Sequence, residues 1–278
     1  MPDRKPSHKR PRSERVGKNL TAKHRPRLIL AQRTLIIHIF LLSISLSVGL
    51  LRQAWPLALL LTALSTLWTV RRLLAHRTVL VIVMRSLEPL LIVAIAIAYV
   101  VLLDTTFQTS LGVRSVILLG AMMWQVRFLL AQFDPVRTAS QSFHSLLSAV
   151  LGHTVAGLWL VQVPELVWLV MCLTWVGQYI IAHYWLERLG YHNSFVAGIW
   201  ALVSLELVWL SSFALTIYNP FKDWGLLLTR SSLMILVLGY VWGYMLQLHS
   251  RRRLTKALVL EYGVIGSCIM AVLLLMPI

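Results

Sequence analysis

Between residues 34 and 277 the chain is a succession of apolar runs, most of them close to the 20 or so residues that a helix needs to cross the hydrocarbon core of a bilayer. Nine can be marked out: 34–51, 53–70, 80–103, 114–132, 145–162, 165–185, 194–217, 224–248 and 254–277. Short polar breaks separate them, among them Arg71–Arg72, Asp104–Thr105–Thr106, Asp134–Pro135, Asn219–Pro220 and Arg251–Arg252–Arg253. No run alternates with a period of two, as a lipid-facing barrel strand does. Helices satisfy their own backbone groups and so cross one at a time. The expected fold is therefore all-α, a polytopic integral membrane helix bundle of about nine transmembrane helices.

Composition points the same way. Apolar residues make up 58% of the 278 and charged residues 13%, against about 45–50% and about 25% in a soluble domain. A water-soluble fold would lack the polar surface to cover itself. Two cysteines, Cys172 and Cys268, are too few for a disulfide-stapled secreted domain and read as small apolar residues.

Much of the formal net charge of +16 sits in one stretch. Residues 1–33 hold eleven Lys and Arg against Asp3 and Glu14, with Pro2, Pro6, Pro11 and Pro26 and almost no apolar run. Such a segment buries too little surface to offset its ordering entropy. It is expected to be a disordered cytoplasmic tail ahead of a bundle over 34–278, and it is too long and charged for a signal-peptide n-region. Lys5, Lys9, Arg10, Arg12 and Arg15 suit anionic lipid headgroups; nucleic acid is not the expected partner.

The loops carry an orientation signal. With the tail inside and nine crossings, the inner loops hold Arg71, Arg72, Arg77, Arg127, Arg137, Arg188, Arg251, Arg252, Arg253 and Lys256, whereas the outer loops hold Arg52, Arg114 and Lys222. That is the asymmetry of the positive-inside rule. The expectation is an N terminus in the cytoplasm and a C terminus outside, in a cell membrane, with a bacterial inner membrane as the setting. The first two runs are joined by little more than Arg52, so a re-entrant hairpin is their alternative.

Charges inside the runs need an account, because each costs about 2.5–3.5 kcal/mol on insertion scales. Glu206 lies mid-run in the seventh and Arg230 about two turns into the eighth. At about 1.5 Å per residue they sit roughly 16 Å and roughly 10–12 Å below the outer end. They are therefore candidates for an ion pair or a shared water cavity; the alternative has Glu206 donating to a backbone carbonyl and Arg230 snorkelling outward. Glu261 and His153 complete the buried polar candidates. Arg85 and Glu88, three apart, share a helix face and read as a local interfacial pair, with 78–88 a lead-in and the crossing starting near Pro89. Gly239 and Gly243 form a small-xxx-small pair. Ser145, Ser148 and Gly152 line one face of the fifth run. These are bundle-packing devices, with a homo-oligomer seam as the alternative.

The sequence contains no cluster of aspartates for Mg²⁺, no His-Glu-x-x-His or phosphate-binding glycine loop, and no Gly-x-Ser-x-Gly elbow. His183 and Glu187 share a face, but His192 falls beyond Gly190. No catalytic residue, metal or cofactor is assigned. The leading expectation is transport by a small permease with a polar site around Glu206 and Arg230. The alternatives are a structural or assembly subunit of a membrane complex and a membrane enzyme acting on a lipid-linked substrate. A permease predicts a hydrated column, an enzyme a closed pocket at headgroup depth with convergent ionisable groups, and a scaffold a dry bundle with an exposed small-residue face.

Overall fold

The computed structural model describes residues 33–48, 50, 54–74, 78–107, 110–131, 138–191, 193–213, 217–221 and 226–275. The basic tail, Lys5 to Arg15 included, lies outside the described residues. Among the described residues nine α-helices follow in order: α1 (Arg33–Val48), α2 (Trp55–Leu73), α3 (Val79–Phe107), α4 (Leu111–Ala131), α5 (Thr138–Gln162), α6 (Val167–Arg188), α7 (Ser194–Phe213), α8 (Arg230–Ser250) and α9 (Lys256–Leu275). A short hairpin, β1 (Ile217–Phe221) and β2 (Leu226–Thr229), links α7 to α8.

Among the described residues seven helices, α3 to α9, are long and apolar enough to cross a membrane, so the architecture is that of a multi-pass membrane protein. The first two runs differ. α1 covers only about 24 Å at 1.5 Å per residue and is tied to α2 by polar contacts. Ser45 Oγ donates to the Ala58 carbonyl at 2.6 Å and lies 2.7 Å from Thr62 Oγ1.

Local signals set the helix ends. α2 takes Pro56 in its first turn, where the missing N–H has no intrahelical partner to lose. The Thr229 side chain caps α8, accepting from the Ser232 N–H at 3.2 Å. α6 closes on Gly190 at φ +79°, with Tyr191 N–H donating to the Leu186 carbonyl and Gly190 N–H to that of Glu187. That is a Schellman close, which needs a left-handed residue. α8 ends the same way, with Arg252 at φ 55°.

α3 runs unbroken for 29 residues with Pro89 inside it. The expected lead-in over 78–88 is thus part of the same helix. Proline removes the backbone donor that would serve the Arg85 carbonyl; one residue earlier, the Tyr184 hydroxyl of α6 donates to the carbonyl of Met84 and ties α6 to this stretch of α3.

The main core joins α5 to α8 through Leu146, Val150, Ala182, Trp185, Trp200 and Ile235. A second core joins α1 to α4 through Leu42, Leu46, Ala58, Val93, Ile97 and Leu118. α3 links the halves. At the end where α3 finishes, the hairpin is tucked into the bundle, and Leu227 is buried against Tyr99, Leu102, Leu103, Val155 and Leu158. The Tyr99 hydroxyl accepts from Leu227 N–H at 2.8 Å and donates to its carbonyl at 2.9 Å. Non-helical backbone at membrane depth survives where protein satisfies it in this way. The hairpin also corrects a boundary. Residues 226–229 are strand, so α8 starts at Arg230, which is its first residue rather than two turns inside. α9 packs chiefly on α8, with Gly266 its one buried residue among those described.

Candidate functional site

The densest polar cluster lies where α3 begins and α6 ends. Glu88 on α3 is 3% exposed. Its Oε1 accepts from Arg188 Nη1 at 2.6 Å and from Ser145 Oγ at 2.9 Å, and its Oε2 accepts from Arg188 Nη2. Arg188 Nη1 also donates to Ser145 Oγ, and the guanidinium sits 4.5 Å from the Phe128 ring centroid on α4. Four helices thus converge on one bidentate ion pair, the strongest geometry available to these groups. Beside it Arg85 Nη2 donates to Glu187 Oε1 at 2.8 Å, in a more exposed pair. Neighbours on α3 therefore each take a partner from α6, which corrects the local Arg85–Glu88 pairing expected from their spacing. Both Glu88 oxygens are occupied, so the carboxylate fastens helices together and is not a free general base.

Directly along the helices lies a cavity of about 420 Å³ between α2, α3, α5 and α6. Leu91, one turn from Glu88, lines it, as do Ala98, Val155, Trp159, Leu173 and Gly177. Its polar lining residues are turned to other partners. Gln178 donates through Nε2 to the Ala149 carbonyl at 2.9 Å and accepts from Trp200 Nε1 at 3.3 Å, and Thr174 Oγ1 donates to the Val170 carbonyl at 2.7 Å. The surface left is hydrocarbon. Trp55 and Leu173 line the cavity yet are themselves substantially exposed, so it opens sideways between α2 and α6. Gly152 keeps it narrow but clear: a Cβ there would come 3.2 Å from Ile95 Cδ1.

The expected polar site is not assembled. Glu206 is exposed on α7. Arg230 Nη1 reaches 3.5 Å from the Leu274 carbonyl of α9. No hydrogen bond or ion pair joins Glu206 to Arg230 among the described residues. Glu261 is exposed on α9. His153 is fully buried in α5, and neither ring nitrogen has a hydrogen-bond partner among the described residues. The small residues lie inside the bundle. Gly239 faces Leu146 and Trp200, Gly243 faces Trp185, Ser145 belongs to the ion-pair cluster, and Ser148 is buried.

Arg188 and Ser145 are the functional candidates that sequence reasoning missed. Arg188 read as a loop charge and Ser145 as a packing residue. The usable signal was depth: Arg85 and Glu88 start one span at the same end of the bundle at which Glu187 and Arg188 finish another. No group of three His, Cys, Asp or Glu suited to a metal occurs among the described residues. Comparisons with family models, with curated proteins and with solved structures return no match.

Proposed function

We propose that this chain is a small permease for an amphipathic molecule, which it takes sideways from the bilayer with the hydrocarbon chain in the α2–α3–α5–α6 cleft and the polar head at the arginine-rich end. The observation that carries this reading is the adjacency of the two features: an apolar cleft open to lipid, ending one helical turn from a polar cluster. Apolar pockets with a few placed polar groups are the usual form of a small-molecule site. The expected transport path thereby moves from Glu206 and Arg230 to the seam between α3 and α6.

Charge supports an anionic head. Arg71, Arg72, Arg251, Arg252, Arg253 and Lys256 gather at the same end as Arg188, where α2, α6 and α8 finish and α3, α7 and α9 begin. The positive-inside rule makes this the cytoplasmic side of a cell membrane. The topology survives the question of α1 and α2. Whether both cross, giving nine spans, or both turn back, giving seven, the count is odd and the termini lie on opposite sides. The basic tail would then add headgroup contacts through Lys5, Lys9, Arg10, Arg12 and Arg15, and deleting residues 2–27 should weaken binding to anionic vesicles at low salt.

The test is lipid movement in reconstituted vesicles, read with a single-chain lipid carrying a nitrobenzoxadiazole head and an impermeant reductant. The native protein should make the inner-leaflet probe accessible faster than empty vesicles do. Ala98→Trp, which fills the cleft, should return the rate to that of empty vesicles. Equal rates for native and filled protein would overturn the reading. A second reading, a subunit of a membrane complex, draws support from α9, whose outer faces are largely exposed.

A further inference from the structure

Glu206 occupies an awkward place. It lies on a lipid-facing stripe of α7 with Leu202, Trp209, Leu210 and Phe213, all about half exposed or more. Seven residues separate it from Phe213, which sets it roughly 10 Å below that end of the helix. The exposed cations among the described residues, such as Arg72, Arg251 and Lys256, belong to the opposite end of the bundle. A carboxylate facing hydrocarbon needs a hydrogen-bond donor at its own depth.

α9 presents such a donor on a face of small residues that a second helix can approach. α9 has one buried residue, Gly266, which meets Val241 of α8. To one side of that contact Gly263, Ser267 and Ala271 repeat every four residues. Nothing lies within 4 Å of a Cβ built at Gly263, and Ser267 and Ala271 are exposed. Small residues so spaced let a second helix approach closely. Ser267 is eight residues from Leu275, roughly 12 Å below the same end of the bundle. Since α7 and α9 both start at the basic end, the hydroxyl and the carboxylate stand at matched depth.

We propose that the Glu206 face of α7 is covered by α9 of a second copy of this chain, with the Ser267 hydroxyl donating to the Glu206 carboxylate. A two-fold axis along the membrane normal preserves depth and makes the contact twice, as an isologous dimer requires. The occupant is chosen by polar complementarity: a strip of small residues alone fits any helix, whereas a hydroxyl within about 2 Å of the carboxylate's depth fits this one. The inference does not rest on the cleft, and lipid movement through a dimer-deficient variant would leave it untouched.

The experiment uses the full-length protein in vesicles, with both native cysteines replaced by serine. Leu210→Cys on one tagged copy and Ala271→Cys on a differently tagged copy should form a mixed disulfide under mild oxidation. In parallel, energy transfer between donor- and acceptor-labelled copies should report association. Glu206→Leu should weaken it about tenfold, the weight of one intramembrane hydrogen bond, whereas Glu206→Gln, still an acceptor, should retain most of it. Ser267→Ala should match Glu206→Leu. Energy transfer no higher than for a non-interacting membrane protein, or equal in Glu206→Leu and native protein, would overturn the proposal.

Discussion

Glu88 and Glu206 both sit among apolar residues in membrane helices, yet they have opposite surroundings. Glu88 is buried at the α3–α6 seam, with both oxygens occupied by Arg188 and one also by Ser145. Glu206 stands on the outer face of α7 with no partner in its own chain among the described residues. The first carboxylate is part of the fold, and the second is a demand on whatever lies outside it. Position along a run does not decide which carboxylate finds a partner; what matters is the direction in which the helix presents the side chain and the charge waiting there.

Four single substitutions and one double grade that contrast. Arg188→Ala leaves a buried carboxylate without its counter-ion and should cost about 3–5 kcal/mol, read as a lowered midpoint of unfolding in detergent. Replacing both partners, Glu88→Leu with Arg188→Met, should recover much of the loss. Ser145→Ala removes the hydroxyl that donates to Glu88 and accepts from Arg188, and should cost about 1.5–3 kcal/mol in the same assay. Arg85→Ala breaks the more exposed pair with Glu187, with an expected change of at most about 1 kcal/mol. Glu206→Leu should leave the unfolding midpoint of the monomer within about 0.5 kcal/mol of native. A large loss at Glu206, or none at Arg188, would reverse the contrast between the two sites.

Much of the architecture was legible in the sequence because hydropathy reports depth. Apolar runs gave α3 to α9, and the arginine pairs marked their ends. The hairpin was hidden because Ile217, Leu226, Leu227 and Leu228 are as apolar as a helix. Asn219–Pro220 and Lys222–Asp223 read as a turn between helices, and the docking of β2 on the Tyr99 hydroxyl is a tertiary event. The Glu88–Arg188 pair was hidden for a related reason. Its partners are 100 residues apart, and one sequence gives the height of a charge but not its azimuth. Glu206 drew attention because it interrupts a long apolar run, whereas Glu88, next to Pro89 near the start of a run, resembled interface.

The proposed transport requires that the cleft beside the ion-pair cluster receive a hydrocarbon chain. The direct measurement is photolabelling of the native protein in vesicles with a fatty acid carrying a diazirine in mid-chain, followed by mapping of the adducts. Adducts concentrated on Leu91, Ala98, Leu173 and Gly177, and lost on Ala98→Trp, are the predicted result. Adducts spread over the outer faces of α7 and α9, with none enriched in the cleft, would contradict it.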